Sequence, residues 1–225
     1  MRHLFFIAVI MVLTTSCVQI TQKPFDMGMR AYQNGDYAET YKYMLTSAQG
    51  GYPAAQFNLA LMYDKGLGIP QDYAEALKWY CKASVGGEIR GFANIGEMYA
   101  NGWGVPLDEE KARHWYRMGA DLGDALGQLY TVREYAKETK EKGLPKDLDK
   151  AYLWLNLVFL QDLSFLGYDR EIVLFLSDLE EQMSPQQIKA GKEAVKRWKP
   201  APFDAAMADR VKASEACAHT VKVVE

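Results

Sequence analysis

Shifted by 36 residues, the middle of this chain falls on itself. Leu59, Tyr63, Gly66, Gly68, Pro70, Asp72, Ala76, Trp79 and Tyr80 land on Ile95, Tyr99, Gly102, Gly104, Pro106, Asp108, Ala112, Trp115 and Tyr116, and Gly87 lands on Gly123. A period of this length marks one supersecondary unit repeated in tandem. A third copy is worn: Tyr135 keeps the register, and after a short insertion Gly143, Pro145, Asp147, Ala151 and Trp154 resume it. Upstream, Gly28 to Gly51 makes a shorter unit that turns at Asn34-Gly35-Asp36-Tyr37.

Each repeated position has a physical task. Phe57, Leu59, Leu61, Met62 and Tyr63 follow helical spacing and predict the first helix of a pair. The glycines that follow can take positive φ and reverse the chain, and Pro70 and Pro106 delay the next helix. Asp72, Asp108 and Asp147 are placed to cap that helix, with Glu75 completing a capping box in the first copy. Ala76, Ala112 and Ala151 are small where two helices approach closely, and Trp79-Tyr80 and Trp115-Tyr116 supply apolar area. One pair alone cannot bury such a face, so the units must stack.

The segment Ile95-Gly96-Glu97-Met98-Tyr99, the Gly-x-Gly-Val-Pro loop at 102–106, and Lys111-Ala112-x-x-Trp115-Tyr116 resemble the Sel-one-like repeat (SLR) family, a relative of the tetratricopeptide repeat. The unit with Gly28, Ala31, Gly35-Asp36-Tyr37 and Ala38-Glu39 is more similar to a tetratricopeptide copy. The third copy departs, because Lys137 to Lys142 puts a charged stretch where the glycine loop belongs. The resemblance implies an all-α fold: a right-handed α/α solenoid of antiparallel helix pairs with C-terminal capping helices.

The chain begins as a targeting segment does. A short polar start precedes ten apolar residues, Leu4 to Leu13, too few to span a bilayer stably. Leu13-Thr14-Thr15-Ser16-Cys17 resembles a permissive lipobox, which makes Cys17 the lipidated first mature residue, and Val18 after it favours the outer membrane. The expected organisation is a signal peptide at 1–16, a tether at 17–24, repeats at 25–160, a helical cap at 161–200 and a tail at 201–225. Two apolar runs, Leu153 to Leu160 and Ile172 to Leu176, read as closing helices that shield the end of the repeats, with a membrane- or partner-binding helix as the other reading. Ser184 and Pro185 read as the N-cap and first position of a helix reaching about Trp198. The tail reads as loosely ordered. Cys81 reads as a small core residue and Cys217 as part of that tail; the unpaired state is preferred, and the pairing stays open.

The formal charge is −3 and no basic cluster occurs, so nucleic acid is not an expected partner. His3, His114 and His219 are scattered, and no His-x-x-x-His or Cys-x-x-Cys spacing suggests a metal. No Ser-x-x-Lys or Gly-x-Ser-x-Gly signature is present, and Glu109-Glu110 and Glu180-Glu181 read as solvated faces. No catalytic residue and no cofactor is expected.

Binding is the positive expectation. Carrying the concave positions of tetratricopeptide repeats onto the chain selects Asp64, Lys65, Arg90, Glu97, Asn101, Arg133 and Lys137, a mixed-charge set suited to a protein or peptide. Trp103, between Gly102 and Gly104 in the slot that Leu67 fills one copy earlier, reads either as an exposed interface anchor or as a plate on the neighbouring repeat. The resemblance implies a non-enzymatic scaffold of the bacterial envelope, periplasmic and tethered to the outer membrane only by its lipid. Its partner would be an envelope assembly protein or, for an immunity protein, a type VI secretion phospholipase effector. The alternative implied by secreted members is a β-lactam- or peptidoglycan-binding enzyme.

Overall fold

The computed structural model describes residues 21–142, 148–160, 169–204, 207–208, 211 and 217, without the side chains of 136–142 and 169–172. The expected targeting segment with Cys17, the residues Gly143, Pro145 and Asp147 of the third copy, and His3 and His219 lie outside the described residues. The described secondary structure is helical. After α1 (21–33) come α2 (Tyr37–Gln49), α3 (Pro53–Lys65), α4 (Tyr73–Val85), α5 (Arg90–Asn101), α6 (Glu109–Asp121), α7 (Ala125–Lys142), α8 (Leu148–Leu160), α9 (Asp169–Gln182) and α10 (Pro185–Arg197). They form adjacent antiparallel pairs distributed over two compact units. The first holds residues up to Gly91, the loop 102–106 and the tail from Asp204; the second holds 92–101 and 107–203.

In the first unit, chemistry at the helix ends sets the boundaries. Pro53 opens α3 where no backbone N–H is required, and Gly66 closes it in the left-handed conformation at φ +66°, its N–H returning to the Met62 carbonyl. Asp72 then caps α4 by accepting from the N–H groups of Ala74 and Glu75. The expected capping box does not form. The Asp72 N–H that Glu75 would accept is already donated to the Tyr63 carbonyl, 2.9 Å away, and Glu75 instead meets Lys78. The core gathers Met44, Phe57, Leu59, Met62, Trp79 and Tyr80, and Ala76 is fully buried at the expected close approach. Helix α1 already includes residues 21–24 of the expected tether: Thr21 is buried, and its carbonyl accepts from Ser47 Oγ at 2.6 Å.

The cysteines overturn the preferred sequence reading. Cys81 on α4 is bonded to Cys217, and Met207, Val211 and Cys217 are helical and buried. Apolar side chains in the tail thus complete the first unit's core, and the bridge closes a loop of 136 residues.

The second unit repeats the plan. Asp108 caps α6 through the Lys111 N–H, and the ring of Tyr116 packs against Gly96 of α5 so closely that a Cβ there would meet it. Helix α7 is 18 residues long, against 13 for α3. Without the glycine stop, a run of Lys and Glu continues the helix through Lys142, because those residues favour helix. Helix α8 sends Tyr152, Trp154, Leu155, Leu157 and Val158 into a core with Leu129, Val132, Phe175 and Leu179. The apolar runs are therefore closing helices on one face. On the other, Phe159, Leu160, Val173 and Leu174 remain exposed. Ser184 and Gln187 form a capping box at the start of α10, and Trp198 meets Trp154 edge to face. Tyr152 donates to Glu180 at 2.8 Å; burial, then that carboxylate, push its hydroxyl up to about 12.

Gly104 shows how the turns are fixed. Its φ is +70°, and a Cβ there would lie 2.9 Å from the Tyr73 backbone, whereas Gly35, at φ +76°, has open space. Gly104→Ala is expected to lower stability by about 2–3 kcal/mol and Gly35→Ala by about 1 kcal/mol, read as urea midpoints. Equal losses would show that the contact with Tyr73 contributes nothing.

Candidate partner-binding surface

The end of α3 places Asp64 and Lys65 side by side, and the loop 102–106 brings Trp103 to them. Asp64 is 4% exposed. Its Oδ2 accepts from the Tyr80 hydroxyl at 3.3 Å and lies 3.1 Å from Lys65 Nζ, while its Oδ1 is buried with no hydrogen-bond partner. An underused buried carboxylate holds a neighbouring ammonium firmly. Lys65, about half exposed, also sits 5.8 Å above the Trp103 ring centre. Trp103 stacks on Tyr73 with ring centres 5.4 Å apart and planes 12° apart. Tyr73 is itself fixed by Gln71, whose amide donates to the Tyr73 hydroxyl and to the Asp64 carbonyl. The result is a shelf of one half-buried indole and one exposed ammonium on an anchored base.

Trp103 is thus a plate on an adjacent copy that keeps part of its surface in solvent. Asp64 is too buried to be a contact and serves to orient Lys65. Tyr73 and Gln71 were not anticipated. The one signal for Tyr73 is that it repeats Tyr37 at the 36-residue period.

Arg90 lies elsewhere in the same unit. It holds Glu88 with two hydrogen bonds of 2.8 and 2.9 Å and rests 4.4 Å above the Phe57 ring. In the second unit, Asn101 is exposed but donates to the Glu97 carbonyl of its own helix. Glu97 is half-buried, and Arg133 lies over Tyr130, which stacks on Tyr116. The Lys137 side chain lies outside the described residues. The structure therefore joins Asp64, Lys65 and Trp103 in one cluster and places Glu97, Asn101 and Arg133 in the other unit.

Among the described residues no three His, Cys, Asp or Glu side chains gather into a metal-holding group, and no helix is long and apolar enough to cross a membrane. His114 is exposed on α6. Tyr63 shares a 3.0 Å hydrogen bond with Tyr41; burial, then Tyr41, hold its proton well above the ordinary phenol range.

Burial alone would raise the Glu88 carboxyl, but the hydrogen bonds and charge of Arg90 together hold it below the usual carboxylate range. A depressed carboxylate stabilises the fold above its unfolded pKa, and that stability is lost as pH falls through the folded value. Glu88→Gln should therefore flatten the loss of stability below about pH 4.5, measured by urea unfolding across that window; a slope equal to the parent's would contradict the assignment.

The Sel1 repeat family model matches residues 53–84, 93–124 and 134–157. The fold is similar to the crystal structure of a Sel1 repeat protein from Oxalobacter formigenes, with 25% identity over 80% of this chain and 74% of that one, at a TM-score of 0.63. It is also similar to c5321, described as a protective antigen present in uropathogenic Escherichia coli strains displaying an SLR fold: 22% identity, 88% of this chain, 46% of that one, TM-score 0.55. No curated protein matches the chain. The three matched segments coincide with the helix pairs α3–α4 and α5–α6 and with a stretch that runs from α7 into α8, so the chain carries Sel1 repeats.

Proposed function

We propose that this chain is a non-enzymatic protein-binding scaffold of the bacterial cell envelope, exported and held to the outer membrane through a lipid on Cys17. The observation that carries the reading is the shelf of Lys65 and Trp103. An exposed ammonium beside a half-buried indole on a pre-positioned base is the composition of an interface anchor, since little side-chain freedom remains to be lost on binding. Export is supported by the apolar run ahead of Cys17 and by the Cys81–Cys217 bridge, a bond that persists in oxidising compartments. The partner in this reading is a protein, either one toxin effector or a set of envelope assembly proteins.

Pull-down from envelope extract of the native host separates those partners: one tight toxin indicates immunity, several assembly proteins indicate a scaffold. The K65E/W103A variant should weaken the complex by about 2 kcal/mol, near thirtyfold in Kd, with unchanged circular dichroism. Undiminished capture by a folded K65E/W103A protein would overturn the assignment of this surface, and turnover of a chromogenic β-lactam by the purified protein would overturn the non-enzymatic reading.

A further inference from the structure

We propose that the second unit carries a docking groove for an acidic amphipathic helix of a partner protein, lying between α8 and α10. This surface belongs to α8 and α10 alone and does not depend on the Lys65–Trp103 shelf.

Gly191 sets the contact from which the groove opens. A Cβ there would come 2.5 Å from the Tyr152 ring, so its absence lets α10 rest directly on α8, with Gln187 reaching Asp149 at 3.4 Å. Beyond that contact the two helices leave an open groove of about 670 Å3. Leu160, Ile188 and Val195 supply its apolar floor, and Leu160 is 73% exposed. Ile188, Lys192 and Val195 fall on one stripe of α10, with Lys189 and Lys196 alongside. Lys196 is tied to Glu193 at 2.8 Å, whereas Lys189 and Lys192 form no ion pair among the described residues.

An apolar floor under two uncommitted ammonium groups fits an occupant that buries apolar side chains and presents carboxylates. The lining of α10 runs from Pro185 to Lys196, about 17 Å at 1.5 Å per residue. That is the length of three helical turns, and a helix laid beside α8 and α10 places apolar residues at i, i+3 or i+4, and i+7 on the floor. A bilayer surface fits less well. The exposed Glu193–Lys196 ion pair lines the same groove, and acyl chains would strip its water without replacing it.

The test uses the full chain and labelled synthetic peptides of about 14 residues, with leucines at helical spacing and glutamates on both flanks. A counterpart with lysine in place of glutamate serves as control, beside vesicles of phosphatidylglycerol and phosphatidylcholine. The glutamate peptide should bind with an affinity that falls with salt. K189E/K192E, at exposed positions, should weaken it roughly tenfold, and Leu160→Ser should weaken it while K65E leaves it unchanged. Unaltered circular dichroism establishes that the variants fold. Equal binding of the lysine peptide, indifference to K189E/K192E, or binding only to phosphatidylglycerol vesicles would each overturn the proposal.

Discussion

Close approach of one helix backbone to the next is the constraint on which each unit of this protein depends. In the first unit Gly91 lies against Ser84 and the Tyr80 carbonyl; in the second Gly127, one period later, lies against the Ala120 nitrogen and the Tyr116 carbonyl. Gly96 leaves room for the Tyr116 ring, and Ala76, Ala112 and Ala151 are all buried. Small residues at these points let large ones beside them, Trp79 and Tyr80 or Trp115 and Tyr116, pack in and lose nearly all contact with water. Apolar area removed from water stabilises at about 25 cal/mol per Å², and that gain exists only when the backbones come within reach.

The same spacing positions the surface chemistry. Because Gly104 sits on the Tyr73 backbone, the loop carrying Trp103 has one place to go, and Trp103 meets Tyr73 face to face there. Lys65 is then held between the indole and the buried Asp64 carboxylate. Rigidity originating in the repeat thus reaches the side chains offered to solvent.

Local signals were legible in the sequence and non-local ones were not. Glycine and proline punctuation fixed α3 to α6, and Ser184-Pro185 fixed the start of α10, because caps and turns depend on a few neighbouring residues. The absent capping box at Asp72 shows where that logic stops: an N–H given to Tyr63, nine positions back, cannot also serve Glu75. The extension of α7 follows from the missing glycine stop, a local fact whose consequence emerged only with the helix itself. The Cys81–Cys217 bridge and the burial of Val211 link distant positions, and neither spacing nor composition encodes such a pairing. Concave-face positions were selected by a repeat template; burial of Asp64 and the Gln71–Tyr73 support depend on side-chain packing that a template does not carry.

Gly127 tests the central claim, because two effects oppose each other there. Replacing a helical glycine by alanine adds up to about 1 kcal/mol through backbone entropy. A Cβ at 127 would lie 2.7 Å from the Ala120 nitrogen and 2.9 Å from the Tyr116 carbonyl oxygen, both backbone atoms that cannot rotate away. Overpacking of this kind costs about 1–3 kcal/mol. Urea unfolding of Gly127→Ala, followed by circular dichroism, should show a midpoint below that of the parent, corresponding to a net loss of about 1–2 kcal/mol. A midpoint equal to or above the parent's would mean that the helix pairs are not held by backbone approach, and would contradict this account.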